Sequence, residues 1–276
     1  MSKKKISEKN FRRSTGVKVE TFNYLLKKLK QVVARKKCGP KNILSLKNQL
    51  FLTLDYWRNY TSLLETGKRY GVSEATACRT YKFIEDYLAK AGICKLPGKK
   101  TLLTDSEESI TIDATECPIE RPKRKKKGRI KNRQKHHYSG KKKRHTMKAQ
   151  IVIKGRQIQS TSFANGRMHD FKLFKKSKNR INKNKNAKVD SGYQGLQKTH
   201  KNTDLPMKNT KKNPLTREQK LVNKEQAKNR VVVEHVIGHV KKFKILNTKY
   251  RNRRKRFGLR FNLICGIYNL ENSGLI

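Results

Sequence analysis

The sequence predicts an α/β fold in which a mixed sheet is flanked by helices and preceded by an all-α domain with a helix-turn-helix. Apolar residues recur at helical spacing through the first ninety residues and alternate as in strands after residue 109, before helical spacing returns. A third observation is the extreme positive charge of the chain, which concerns both the helical part and the part that contains the strands. At 276 residues the chain can form one large domain or two smaller ones.

Two helices are predicted at the start. Residues 19–34 carry apolar side chains at helical spacing, and the run Cys38-Gly39-Pro40 ends that pattern. A second helix begins at Ser45, a residue type that caps helix N-termini.

The next segment resembles a helix-turn-helix. Its first helix is Ser62 to Tyr70, its turn is Gly71-Val72, and Ser73 caps a second helix that reaches about Ala89. The packing side of the second helix is predicted to be Ala75, Cys78, Tyr81 or Lys82, Ile84 and Leu88. Thr76, Arg79, Thr80 and Lys82 would then face outward, where a recognition helix reads a major groove. An ordinary helical hairpin fits the spacing equally well. These helices define a domain at residues 1–91, followed by a linker at 92–104.

Strand-like alternation then begins a second domain, residues 105–276. Strands are predicted at 110–114, 147–153 and 158–163, with Gly155 in the turn of a hairpin. The insertion at 121–144 holds fourteen Lys and Arg residues and no acid. By itself it is typical of a solvated loop.

The remaining elements complete the order of a ribonuclease H-like sheet. They are a helix at about 169–177, a short strand ending at Asp190, a strand at 204–208, a long helix at about 216–242, and a last helix within 250–266. In the ribonuclease H-like architecture, carboxylates from the first strand, the fourth strand and a late helix meet at one sheet edge.

The charge indicates a nucleic-acid partner. Lys and Arg number 70 against 20 acids, a formal net charge of +50, which attracts phosphate polymers. An AT-rich genome could account for part of the lysine content, but not for the scarcity of acids.

No apolar run reaches the length of a membrane span or follows the basic N-terminus as in a signal peptide. Five cysteines without CxxC spacing indicate neither a disulfide framework nor a zinc ribbon. The expected location is the cytoplasm, in association with a bacterial nucleoid.

Against this charge the few carboxylates stand out. Between Arg121 and Leu270 they are Asp170, Asp190, Asp204, Glu218, Glu225 and Glu234. Asp113 lies just upstream, in the first strand. Asp190 ends the fourth strand, and Glu234 lies in the late helix. Carboxylate oxygens are the ligands that Mg²⁺ prefers, and a pair of such ions supports in-line phosphoryl transfer.

The helix around Glu234 favours this interpretation. Arg230, Glu234 and Lys241 fall within about 40° of one another, while Val233, Val236, Ile237 and Val240 form a neighbouring apolar arc. The alternative is a surface pair of Arg230 with Glu234, which contributes only about 0.3–0.5 kcal/mol. His235 and His239 have zinc spacing but no obvious third ligand.

Several motifs carry a resemblance to a known family. They are Ile112-Asp113-Ala-Thr-Glu116, Tyr138-Ser-Gly-Lys-Lys-Lys-Arg-His-Thr146, Met168-His-Asp170, Val189-Asp-Ser-Gly-Tyr-Gln-Gly195, Arg230-Val-Val-Val-Glu-His235, Lys241-Lys-Phe-Lys-Ile245, Arg251-Asn-Arg-Arg-Lys-Arg-Phe257 and Phe261-Asn262. In this order they resemble DDE transposases of the bacterial IS5-type insertion sequences, over residues 20–271. Related transposases often carry Tyr three residues before the Arg of the late helix, where this chain has Ala227.

The resemblance implies a catalytic triad of Asp113, Asp190 and Glu234 that holds two Mg²⁺ ions, with Mn²⁺ as a substitute. It implies a transposase that binds terminal inverted repeats, cleaves DNA and transfers strands. Asp170 is expected near the site but not as a primary ligand. The expected DNA contacts are Arg79, Lys82, Arg144, Arg230, Lys241, Arg251, Arg253 and Arg254.

The expected partners are double-stranded DNA, as element ends and target, and further copies of the chain in a homodimer or higher oligomer on DNA. No membrane and no small-molecule substrate is expected. The alternatives are a catalytically inactive transposase remnant and a basic nucleic-acid-binding protein.

Overall fold

The computed structural model describes residues 7–33, 42–104, 108–123, 133–210 and 213–274. The chain divides into two compact units. Unit 1 comprises Met1–Lys95 together with Val240–Ile276, and unit 2 comprises Leu96–His239.

The described residues contain helices and a mixed sheet, so the fold is α/β. The helices are α1 (Glu8–Thr15), α2 (Val19–Val33), α3 (Leu46–Asn59), α4 (Leu63–Tyr70), α5 (Glu74–Lys90), α6 (Arg133–His137), α7 (Asp170–Ser177), α8 (Arg217–Lys241), α9 (Lys244–Asn247) and α10 (Phe257–Asn272). The strands are β1 (Ile110–Pro118), β2 (Tyr138–Ser139), β3 (Arg144–Lys154), β4 (Gln157–Asn165), β5 (Ala187–Val189) and β6 (Thr203–Asp204). No described helix is long and apolar enough to cross a membrane.

Serine caps position the helices of unit 1, and the cap at Ser73 was predicted. The hydroxyls of Ser45, Ser62 and Ser73 accept hydrogen bonds from the backbone N–H groups three residues later, at 3.3, 3.1 and 3.2 Å. Gly71 ends α4 in the left-handed conformation at φ 66°. A Cβ atom at Gly67 would lie 2.5 Å from the carbonyl oxygen of Val72, so the tight turn between α4 and α5 requires glycine there.

One prediction about α5 is wrong. Ala75 is exposed, and the buried face begins instead at Ala77 and continues through Tyr81, Ile84, Glu85 and Leu88. The buried stripe therefore includes a carboxylate, Glu85, which an apolar pattern does not reveal.

Glu85 is the centre of a buried ion-pair network in unit 1. Its side chain is fully buried, and its two carboxylate oxygens lie 2.6 Å from the Nε atoms of Arg260 and Arg256. The indole N–H of Trp57 donates to the same carboxylate at 3.1 Å, and Arg260 also donates to the hydroxyl of Tyr250 at 2.8 Å. These contacts join α5 to α10 across about 170 residues of sequence.

The sheet of unit 2 has an antiparallel part and a parallel part. β1 pairs antiparallel with β3, and β3 pairs antiparallel with β4 through a hairpin that turns at Gly155, φ 55°. β5 pairs parallel with β1 on its other side, and β6 pairs parallel with β5. Ile112 lies opposite Val189, and both side chains belong to the buried core of this unit. This register places the residues that follow them next to each other.

Two predicted elements differ in the structure. The strand expected at 204–208 is only Thr203–Asp204, because Pro206 cannot donate a ladder hydrogen bond. Within the basic insertion, residues 124–132 lie outside the described residues, while α6, β2 and the start of β3 form its second half.

The Glu85 network generates a stability prediction. Glu85→Ala leaves the buried Arg260 without its counter-ion, so we expect the free energy of unfolding to fall by about 3–5 kcal/mol. Urea unfolding followed by circular dichroism measures it. As a control, Glu65→Ala removes a carboxylate that is 58% exposed and 3.5 Å from Arg69, and should cost about 0–1 kcal/mol. Equal losses in the two variants would contradict a stabilising role for the network.

Candidate active site

Two carboxylates stand side by side where β5 ends alongside the middle of β1. Asp113 follows Ile112 in β1, and Asp190 follows Val189 at the end of β5, so the register that pairs Ile112 with Val189 also aligns the two acids. Adjacent strands are about 4.8 Å apart. Asp113 accepts a hydrogen bond from the backbone N–H of Ala114 at 2.7 Å, and Asp190 accepts one from Ser191 at 2.5 Å. The backbone thus orients both carboxylates.

A third carboxylate, Asp170, lies beside this pair at the first residue of α7. Its Oδ1 atom is 2.7 Å from Nζ of Lys148, a largely buried lysine on β3. A Cβ atom at Gly192 would lie 2.6 Å from Oδ2 of Asp170. Only glycine at position 192 therefore lets Asp170 come this close to the turn that carries Asp190.

The turn after Asp190 is fixed by packing as well as by charge. Tyr193 is fully buried, and its hydroxyl donates to the side chain of Gln150 at 3.4 Å. Gly195 has φ 98°, and a Cβ atom there would meet the ring of Phe171 at 2.8 Å. The contacts of Tyr193 and Gly195 thus account for the Tyr and the final Gly of the Asp-Ser-Gly-Tyr-Gln-Gly motif.

The pKa values of Asp113 and Asp190 are shifted in opposite directions. Burial, and then the charges of Asp190 and Asp170, raise the pKa of Asp113 to about 6, although the Ala114 N–H and Arg230 oppose the shift. Burial also acts to raise the pKa of Asp190, but the Ser191 N–H and Arg230 outweigh it and lower that pKa. The site therefore concentrates negative charge that its own cations neutralise only in part.

Arg230 connects α8 to this site. Its Nη1 atom lies 3.1 Å from Oδ1 of Asp190, whereas its Nε atom is buried and has no hydrogen-bond partner among the described residues. Glu234 lies one helical turn beyond Arg230 on the same face, where side chains four apart are about 5–6 Å from each other. Its side chain is exposed and makes no ion pair with any residue that the structure describes.

The structure brings Asp113 and Asp190 together and adds Asp170, Lys148 and Arg230 to their surroundings. In the described ranges, no group of three or more His, Cys, Asp or Glu side chains is arranged to hold a metal ion. The pairing of Lys148 with Asp170 was not predicted. A sequence signal exists, since Lys148 interrupts the run from Thr146 to Ile153 in β3, which otherwise carries no charge.

The side chains expected to contact DNA differ in their exposure and in their contacts. Those of Arg79, Lys82, Arg144 and Arg253 are exposed. Arg251 is engaged within unit 1, because its guanidinium donates to the carbonyl oxygens of Tyr60 and Thr61 at 2.5 and 2.6 Å and lies 4.2 Å from the Tyr60 ring centroid. Lys241 and Arg254 are partly buried.

The apolar arc of α8 is confirmed, since Val233, Val236, Ile237 and Val240 are all buried. The exposed face of the helix therefore carries Glu234, as the spacing predicts.

Comparisons with known proteins agree with these features. Residues 112–269 match the family model of the DDE superfamily endonucleases, and residues 42–92 match that of the helix-turn-helix of DDE superfamily endonucleases. The chain is 41% identical over 273 residues to a probable transposase for insertion sequence element IS702 from Microchaete diplosiphon, covering 97% of this chain and 96% of the relative. No solved structure is matched significantly. This chain therefore belongs to the DDE superfamily of endonucleases and is a DNA-cleaving transposase with a helix-turn-helix domain.

Proposed function

We propose that this transposase acts on an insertion sequence of the IS5 type by binding its terminal inverted repeats and cutting each end to release a 3′-hydroxyl. That hydroxyl attacks a phosphodiester of the target DNA and transfers the strand. The observation that carries the proposal is the alignment of Asp113 with Asp190 by the β1–β5 register. The relative of similar length, a probable insertion-sequence transposase, supports the same reaction class.

The catalytic part is a ribonuclease H-like fold in this proposal. The order of three antiparallel strands, a helix and then a parallel strand beside the first strand supports it. The domain division is residues 1–91 for DNA recognition, 92–104 as linker and 105–276 for catalysis. By its contacts, the C-terminal segment from Val240 belongs to the same compact unit as the N-terminal helices.

In this proposal the site holds a pair of hard divalent cations, Mg²⁺ or Mn²⁺, although no three acids of the described residues are gathered around one point in the metal-free chain. Asp113 and Asp190 are adjacent carboxylates, and the pKa of Asp113 is raised first by burial and then by the charges of Asp190 and Asp170, so a bound cation would favour its ionised form. Asp113 and Asp190 would hold both ions, and Glu234 would complete the second set of ligands. When bound, such a pair activates a hydroxyl nucleophile and stabilises the leaving oxygen.

The protein's own cations have distinct tasks. Lys148 fixes Asp170 against the Asp190 turn through its 2.7 Å ion pair. Arg230 neutralises Asp190 in the metal-free chain and, released from it, is placed to contact a DNA phosphate. Lys241 and Arg144 contribute further phosphate contacts, which position the DNA without reading its sequence.

The remaining features concern assembly and DNA recognition. Arg79 and Lys82 are exposed on α5, the second helix of the helix-turn-helix, and read or grip the inverted repeat. Arg251, Arg253 and Arg254 add to the basic surface. The active form is a homodimer or higher oligomer assembled on DNA in the bacterial cytoplasm.

Nicking of inverted-repeat DNA tests the catalytic assignment. Asp113→Ala, Asp190→Ala and Glu234→Ala should each lower the Mg²⁺-dependent nicking rate by at least about 10³-fold, because each removes a metal ligand. The rate is measured on supercoiled plasmid carrying one element end.

The matched control is Asp204→Asn, which removes a carboxylate of the same unit outside the site and should leave the rate within about twofold. Tight DNA binding without nicking by the unaltered protein would favour an inactive remnant. Full activity of Glu234→Ala would remove Glu234 from the ligand set.

The pKa of Asp113 generates a second prediction. Its folded value of about 6 lies above the ordinary value near 4, so the ionised carboxylate destabilises the folded, metal-free chain increasingly as the pH rises through this window. We expect Asp113→Asn to be more stable by about 1–3 kcal/mol near pH 7 and to lose that advantage below about pH 4. Urea unfolding at both pH values measures the difference.

Addition of Mg²⁺ should make the unaltered protein more stable than Asp113→Asn at neutral pH. At a Mg²⁺ concentration about 100-fold above the dissociation constant, the unaltered protein gains about 2.7 kcal/mol, and Asp113→Asn gains much less. A lower stability of Asp113→Asn at neutral pH without metal, or an equal response of both proteins to Mg²⁺, would contradict this account.

The helix-turn-helix assignment has its own test. Arg79→Ala and Lys82→Ala should each weaken binding to inverted-repeat duplex by about 5- to 100-fold in an electrophoretic mobility assay, since each removes an exposed cation from the recognition helix. Lys90→Ala, at the far end of the same helix, is the control. An effect of Lys90→Ala as large as that of the other two would indicate unspecific charge attraction.

A further inference from the structure

A concave cavity lies in unit 2 beside β2, outside the carboxylate site. Its volume is about 590 Å³, within the range of small-molecule sites. Its lining includes Arg121, Lys135, Tyr138, His145 and Arg167, which come from the segment after β1, α6, β2, β3 and the segment after β4. We refer to these five residues and the space between them as the β2 pocket.

The β2 pocket is positively charged, and no acid is among the described residues that line it. Arg121, Lys135 and Arg167 form no ion pair with any residue in the described part of the chain. Burial and the charge of Arg121 lower the pKa of His145, so this imidazole is neutral at physiological pH. Three cations without counter-ions around one cavity favour an anionic ligand.

Part of the lining is held in place before any ligand binds. Arg121 donates to the side-chain oxygen of Gln134 at 3.2 Å, and the amide of Gln134 donates to the carbonyl oxygen of Pro122 at 2.7 Å. The backbone N–H of Arg167 donates to the carbonyl oxygen of His136 at 3.3 Å. These bonds tie the Arg121 side chain and the Arg167 backbone to α6, so less ordering remains for ligand binding.

An aromatic ring completes the lining. Tyr138 is 42% exposed although it belongs to a strand, and it packs edge-on against its cross-strand neighbour His145 with ring centroids 5.6 Å apart. His145 therefore supports the tyrosine from one side while much of the phenol remains accessible. An exposed aromatic ring beside a positive groove is the combination on which single-stranded nucleic acid stacks its bases.

We propose that the β2 pocket binds one unpaired nucleotide of a DNA strand, with the base stacked on Tyr138 and the flanking phosphates held by Arg121 and Arg167. Contact with duplex phosphates alone would require neither a concave lining nor an exposed aromatic ring. The inference rests on the proposed function, in which the ends of duplex DNA are the substrate. It adds that the protein distinguishes an unpaired nucleotide from a paired one.

The test uses two duplexes of equal length and phosphate count. Each carries 2-aminopurine near one end, opposite thymine in one duplex and opposite a purine that cannot pair with it in the other. Binding to the full-length protein is followed by anisotropy and 2-aminopurine fluorescence, without divalent metal and at a salt concentration that suppresses unspecific attraction. We expect the mismatched duplex to bind at least about 5-fold more tightly, with quenching of its 2-aminopurine by stacking.

Variants assign the preference to the pocket. Tyr138→Ala should abolish the preference and the quenching, whereas Tyr138→Phe should retain both because it keeps the ring. Arg121→Gln should weaken binding of the mismatched duplex more than that of the paired one. Equal affinity of the unaltered protein for both duplexes, or an equal loss for both in Tyr138→Ala, would overturn the proposal and leave only phosphate contact.

These experiments distinguish a failure of the β2 pocket proposal from a failure of the proposed nicking activity. Binding is measured without metal, so a missing preference for the mismatched duplex says nothing about nicking by Asp113. A protein that cannot nick DNA can still show the preference. Thermal unfolding of each variant verifies that the exposed position of Tyr138 tolerates the change.

Discussion

The pairing of β5 alongside β1 is the constraint on which the catalytic unit depends. β5 runs parallel to β1 and ends opposite Ile112, so the aspartates that follow Ile112 and Val189 must become neighbours. Two like charges at this distance repel, and burial of Asp113 strengthens the repulsion. The fold tolerates this because apolar packing beneath the strands supplies the stability that the aspartates do not.

Scarce negative charge has two different uses in this chain. In unit 1, Glu85 is fully buried and satisfied by two arginines and a tryptophan, so it serves the architecture. At the β1–β5 edge, Asp190 remains 47% exposed and has a single cation beside it. A carboxylate that is saturated with donors cannot take a new ligand, whereas one that remains accessible can. The distribution of partners therefore separates Glu85, which is saturated with donors, from Asp190, which remains accessible.

Local sequence signals predict the elements well but not their long-range partners. Serine caps and the Gly71 turn determine α4 and α5 because these interactions span only a few residues. The hairpin at Gly155 is local in the same way. The contact of Glu85 with α10 and that of Arg230 with Asp190 depend on the assembled fold, and no periodicity encodes them. The three candidate acids were predicted by residue type and element, whereas the shape of the β2 pocket requires coordinates.

The contact between α5 and α10 has a consequence for synthesis. The buried carboxylate of Glu85 leaves the ribosome long before Arg260, the partner that neutralises it. At roughly 5–20 residues per second, translation of the intervening segment takes on the order of ten seconds or more. The core that supports the helix-turn-helix is completed only after the segment with Asp113, Asp190 and Glu234 has emerged. A truncated chain that ends before Arg260 therefore lacks the counter-ion of Glu85 and part of the core that supports the helix-turn-helix, which disfavours truncated products that bind DNA.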